Sequence, residues 1–199
     1  YSWAYNSGEN RLTHWRNDPV TDMPSEAVYL RDEETGAVWS PTNYMVLRGL
    51  TQRGQADLAY AIARNHVENA AEVFRQTGTL WENYSPEYPQ PGRPAGRDFV
   101  GWTGVSAITI PLEYLIGVQT NESWSTLVWD IRLAGRHGVL RYPVGESNCV
   151  DLLCEPSAQG GLRLLVNTAQ TFNLCVNFAG RTYNYSLVPG EQILLLEEL

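Results

Sequence analysis

The chain has 199 residues, enough for one large domain or two small ones. Its net charge of −8 and pI near 4.9 argue against nucleic acid or an anionic membrane surface as a partner. A content of 43% hydrophobic and 18% charged residues is ordinary for a globular protein, while 7 Trp and 11 Tyr are rich for this length.

The chain opens at Tyr1 and its first Met is Met23, so it reads as a piece of a longer or processed protein. No apolar run approaches the roughly 20 residues of a membrane helix. No basic-then-apolar leader is present, and a cytoplasmic location is expected. Residues 1–42 lack helical periodicity and are expected to be an irregular or β segment. Asn17-Asp18-Pro19 and Glu34-Thr35-Gly36 read as turns. Ala27–Arg31 reads as a strand, with Ala37–Trp39 as its hairpin partner.

From Thr42 the pattern turns helical. Tyr44, Leu47 and Leu50 repeat at helical spacing behind a Thr42 or Asn43 cap. Asp57 is expected to cap a longer helix to about Gln76, with Leu58, Ile62, Asn65, Asn69, Val73 and Phe74 on one face and Gly78 as its stop. A third helix is expected over Thr103–Ile116, with Val105, Ile108, Leu112 and Leu115 inward. Pro111 inside it predicts a kink or a late start.

Between the second and third helices lies Thr77–Trp102, TGTLWENYSPEYPQPGRPAGRDFVGW. Its Pro and Gly content rules out regular helix or a central strand. A loop this long with no structure of its own is uncommon unless it has a job. Trp81, Tyr84, Tyr88, Phe99 and Trp102 interleave there with Glu82, Glu87 and Asp98. Rings stack on the apolar faces of a pyranose, and carboxylates accept hydroxyl hydrogen bonds and do acid/base work. Glu82 is the leading candidate for a catalytic group, whereas Glu87 reads as solvent-facing. Asp98 either orients the loop through Arg93 or Arg97 or binds a hydroxyl. His66, beside Asn65 and Asn69, reads as a satisfied structural His.

Beyond about Asn121 the period becomes two. Ser125–Arg132, Gly138–Tyr142, Cys149–Glu155, Leu162–Asn167, Phe172–Phe178, Thr182–Leu187 and Gln192–Glu197 read as short strands. Turns at Gly160-Gly161, Ala179-Gly180 and Pro189-Gly190 complete the pattern of a small antiparallel sandwich. The three Cys (Cys149, Cys154, Cys175) read as reduced thiols, and neither a metal nor a cofactor is expected.

Three blocks carry a resemblance: GAVWSPTNYMVLRGL at 36–50, NHVENAAEVFRQTGTLWENYSPE at 65–87 and DFVGWTGVSAITIPLEYLIGV at 98–118. They look like the C-terminal part of the (α/α)6 barrel of glycoside hydrolase family 63 and its mannosylglycerate-hydrolase-like bacterial relatives. The HGVLRY and NCVDLLCEP runs resemble the small β domain that follows that barrel. The resemblance implies an α+β fold: a partial (α/α)6 toroid of about three helices over 43–118, then a small antiparallel β-sandwich over 119–199. It also implies an inverting hydrolase whose two carboxyls stand roughly 6.5–9.5 Å apart. The family's general base falls on Glu82. Trp39, Asn43, Tyr44, Trp81, Tyr84, Asp98, Phe99 and Trp102 would then line the oligosaccharide site. The family's general acid is an Asp on an earlier helix, and neither Asp57 nor Asp98 matches its motif.

Residues 1–42 resemble a different group. ENRLTHWRNDPVTDMPSEAVYLRDEETGAVWSP is similar to a sandwich segment of glycoside hydrolase family 94, the cyclic β-1,2-glucan synthase and cellobiose phosphorylase group. The expectation is a fragment of an inverting glycosidase acting on α-linked gluco- or manno-oligosaccharides. The alternatives are a non-catalytic carbohydrate-binding module and a family 94 phosphorylase fragment. Self-association, or pairing with a missing half-barrel, is expected because an incomplete barrel leaves apolar faces uncovered.

Overall fold

The computed structural model describes residues 3–6, 11–14, 37–86, 88–120, 126–145, 147–158 and 160–197. The chain divides into two compact units, Tyr1–Pro111 and Leu112–Leu199. The first holds an antiparallel hairpin of β1 (Trp3–Asn6) and β2 (Arg11–His14), then α1 (Ser40–Gln52) and α2 (Ala56–Thr77). The expected strand at Ala27–Arg31 lies outside the described residues. Val38 exchanges two backbone hydrogen bonds with Tyr84, at 2.7 and 3.1 Å.

The α1 helix starts at Ser40 with Trp39 as its cap residue, earlier than the expected Thr42 or Asn43. Pro41 explains the early start, since its fixed φ and missing N–H suit a first turn. Asp57 lies within the first turn of α2, where its charge meets the helix dipole, while Gln55 takes the cap position. Gly78 ends α2 in the left-handed conformation, as expected. The buried stripe of α2 is Ala59, Ile62, Ala63, His66, Ala70 and Val73. The predicted face is thus rotated: Phe74 is exposed, and three alanines lie on the buried stripe.

The third helix is not regular. It winds as two π-helical segments, Val105–Thr109 and Pro111–Ile116. Pro111 has no N–H to give, and the wider turn lets neighbouring groups reach one carbonyl further back, as Gly117 N–H does to Leu112 O at 3.0 Å. The wider winding also shifts the phase of burial. Ser106, Ile110 and Tyr114 are buried, and Ile108 is exposed, against the expected inward set.

The second unit is two four-stranded sheets. One has the order β10 (Gly190–Leu196), β7 (Leu162–Thr168), β6 (Asn148–Pro156), β5 (His137–Val144), all antiparallel. The other runs β3 (Val118–Thr120), β4 (Thr126–Asp130), β8 (Phe172–Phe178), β9 (Arg181–Leu187). Seven of these strands follow the alternation read from the sequence; β3 was not expected. The wholly antiparallel sandwich is corrected at one place, because β4 and β8 pair in parallel. Between them the chain leaves to build the other sheet and returns in the same direction, which is the long crossover a parallel pair requires. Side chains from both sheets bury one shared core, with Leu127 and Trp129 from β4, Leu152 and Cys154 from β6, Leu164 from β7 and Leu174 from β8. The class is α+β with sandwich-like β content.

Candidate functional site

The Pro-rich stretch after α2 is held as an irregular antiparallel ribbon. Leu80 O accepts from Phe99 N–H at 3.0 Å, and Glu82 N–H donates to Gly96 O at 2.9 Å. Further along, Gly92 N–H donates to Asn83 O and Ser85 N–H to Gln90 O. Pro86, Pro89, Pro91 and Pro94 keep it from becoming a regular ladder, since none can donate. The ribbon therefore has fixed geometry without being a strand.

Glu82 sits half-buried in this ribbon. Its Oε2 accepts a hydrogen bond from Gly96 N–H at 3.0 Å. Its carbonyl accepts from Trp102 Nε1 at 3.0 Å, and Thr103 Oγ1 reaches the Trp81 carbonyl at 2.8 Å. Gly96 separates the carboxylate from a ring. A Cβ there would stand 3.2 Å from Glu82 Oε2 and 3.8 Å from Phe99 Cδ2. Phe99 packs on Trp102 with ring centroids 4.8 Å apart, and Trp102 on Trp39 at 5.7 Å. Trp102 remains 41% exposed, so this three-ring surface is open to solvent.

The other predicted residues lie elsewhere in the unit. Trp81 and Tyr84 pack against Ala70 and Val73 of α2, with Trp81 Nε1 donating to Thr77 Oγ1 at 3.0 Å. Burial raises the Tyr84 hydroxyl above its ordinary pKa, with the Trp81 backbone opposing. Asp98 is 72% exposed and pairs loosely with Arg97 at 3.7 Å. Tyr44 is half-buried on α1. Glu87 lies outside the described residues.

Asn43 belongs to a buried polar chain that sequence reasoning saw only in part. Its Nδ2 donates to His66 Nδ1 at 2.9 Å. That leaves the proton on Nε2, which donates to Ser106 Oγ at 2.6 Å, and Ser106 meets Ser40 Oγ. All four residues are buried. Burial pushes His66 down to about 4, so the ring is neutral at pH 7. As donor, its Nε2 cannot take the Ser106 proton, so the chain fastens α1, α2 and the first π-helical segment and does not activate a nucleophile. The signal for it was Ser40 at a helix start and Ser106 in an otherwise apolar run, but the pairing is long-range.

A cleft of about 40 Å³ lies beside this chain, lined by Asn43, Asn65, His66, Asn69, Tyr84 and Ser85 among others. Pockets that enclose a small-molecule ligand hold several hundred Å³. A cleft of this size does not enclose a sugar ring. No group of three or more His, Cys, Asp and Glu among the described residues is placed to hold a metal ion.

Residues 1–71 match the family model described as glycosyl hydrolase 94, supersandwich domain. The chain is 46% identical over 41 residues to the cyclic beta-(1,2)-glucan synthase NdvB of Rhizobium meliloti (strain 1021), covering 21% of this chain and 1% of that protein. It is 32% identical over 110 residues to a probable mannosyl-oligosaccharide glucosidase of Schizosaccharomyces pombe, covering 49% of this chain and 13% of that protein. The chain thus spans a small part of both relatives. No solved structure matches it. The family 94 resemblance is supported by a domain model, over residues 1–71 and not only 1–42, and the family 63 resemblance is met only in part, by a relative matched over 49% of this chain.

Proposed function

We propose that this chain is part of a carbohydrate-active protein and that its sugar surface is the Trp39–Phe99–Trp102 ring cluster beside Glu82. The observation that carries the reading is the Gly96 N–H bond to Glu82 Oε2, which fixes a half-buried carboxylate next to the Phe99 ring. A ring to stack on the sugar and one of the two carboxyls that cleaving a glycoside needs are thus held side by side. In this reading Glu82 activates water as general base of an inverting hydrolase on α-linked gluco- or manno-oligosaccharides. Trp39, Trp102 and Phe99 hold the ring, and Asn43, Tyr44, Trp81 and Tyr84 support them. The helices of the first unit belong to a partial (α/α)6 toroid whose other part supplies the acid. The relation to the glucosidase of fission yeast supports this assignment.

Calorimetry of the 199-residue chain with α-linked gluco- and manno-disaccharides tests it. Binding that Trp102→Ala removes, without hydrolysis, supports the reading. Absence of binding to every sugar rejects it. Turnover by the isolated chain that Glu82→Gln abolishes would keep the base and overturn the missing acid.

The match of residues 1–71 to a family 94 domain favours a second reading, a glycoside phosphorylase fragment. There the substrates would be β-linked glucans, and any reaction would require inorganic phosphate. Binding of a β-1,2-linked glucan in preference to α-linked sugars would select it.

A further inference from the structure

We infer that Trp102 is a positioning residue for Glu82 as well as a ring for the sugar, and that its indole N–H fixes the backbone from which the carboxylate hangs. The inference rests on the reading of Glu82 as the water-activating base.

Glu82 is anchored through its N–H, its carboxylate and its carbonyl. The N–H donates to Gly96 O at 2.9 Å, and Oε2 accepts from Gly96 N–H at 3.0 Å. These two bonds close on one residue and hold the carboxylate against the other limb of the ribbon. The carbonyl accepts from Trp102 Nε1 at 3.0 Å, which ties the pair to the start of the third helix. Thr103 makes the same kind of bond one residue back. Its Oγ1 donates to Trp81 O at 2.8 Å and lies 3.4 Å from Glu82 O, and the side chain is fully buried. Trp102 and Thr103 thus cap the consecutive carbonyls of Trp81 and Glu82. Further along the same segment, Ser106 accepts from His66 Nε2 at 2.6 Å and meets Ser40. The buried polar chain therefore fixes the helix start, and the helix start fixes the peptide groups that carry Glu82.

An indole suits both tasks. Its N–H only donates, and it lies in the ring plane, so an edge turned to a carbonyl leaves a face for a sugar. Trp102 keeps 41% of its surface exposed while its N–H is committed to Glu82. A phenylalanine at this position could stack and could not hold the carbonyl. Among the described residues Glu82 Oε1 has no hydrogen-bond partner, so the anchoring leaves that oxygen to accept from a water. A group with such a task has to be held to within about 0.5 Å, which is what the carbonyl anchors supply.

Amide hydrogen exchange of the 199-residue chain, read by NMR at Gly96, tests this. Trp102→Phe should speed exchange of the Gly96 N–H about tenfold, as for the loss of one hydrogen bond. The Phe99 N–H, bonded to Leu80 O in the same ribbon, should keep its rate. Trp39→Phe alters the ring cluster without touching the Glu82 carbonyl, and should leave the Gly96 rate unchanged. Trp102→benzothienylalanine keeps the size of the ring and replaces only its N–H, so it should act as Trp102→Phe does even if the smaller ring loosens the cluster. A Gly96 rate that neither Trp102 variant moves overturns the proposal. Gly96 and Phe99 speeding up together also overturns it, because Trp102 would then only stabilise the fold. The exchange needs no sugar: a chain that shows the Gly96 effect and binds no sugar would reject the proposed function and keep the anchoring of Glu82.

Discussion

At the scale of one residue, His66 carries a charge balance that can be measured. Its pKa is about 4 in the folded chain against an ordinary 6.5, because burial disfavours the cation. The unfolded chain therefore binds a proton between those values that the folded chain does not. This makes no difference above about pH 6.5. As pH falls from there to about 4, His66 should remove stability on the order of 3 kcal/mol. Urea unfolding at successive pH values reads this directly, and His66→Gln should flatten the slope. The same ring should show the Nε2–H tautomer by nitrogen NMR at pH 7 and not titrate down to pH 5. A ring that charges near 6.5 would contradict both. Glu82 was legible in the sequence because it sits between rings on a loop. Its partner Gly96, 14 positions on, was not, because the bond uses a backbone N–H that any residue possesses.

Among the elements, two glycines separate the cost of conformation from the cost of space. Gly78 ends α2 at a φ of 73° with nothing within 4 Å of a Cβ. Gly78→Ala should therefore lose only the left-handed penalty, about 1 kcal/mol. Gly117 has a φ of 85°, and a Cβ there would stand 1.9 Å from Asp130 O. Gly117→Ala must also push β4 away, which breaks the Asp130 N–H to Gly117 O bond of 2.8 Å. It should cost several-fold more in urea midpoint than Gly78→Ala, and equal costs would refute the contrast. Strands β4 to β10 were legible because a half-buried strand alternates and its turns carry Gly or Pro. The π-helical winding was not, since Pro111 signals only a kink or a late start in an amphipathic helix and the phase shift depends on the whole turn. The bridge from Val38 to Tyr84 was hidden for the same reason as all non-local pairings: no local signal names the partner.

For the whole molecule, the β unit has its own core and should fold without the rest. Residues 112–199 expressed alone should give a β-type circular dichroism spectrum and a cooperative melt. Leu152 is fully buried in that core. Leu152→Ala should cost about 2–5 kcal/mol in that unit. An unfolded 112–199 fragment would show that the core depends on the first unit. The parallel pairing of β4 with β8 has a kinetic consequence. The two strands are separated in sequence by β5, β6 and β7, so their pairing has a high contact order and should be the late step in forming the second sheet. Pulsed hydrogen exchange during refolding should protect amides of β6 and β7 before those of β4. A chain stalled at that stage would leave one edge of β4 and one edge of β8 open, beside their partners β3 and β9, and it is there that aggregation should begin.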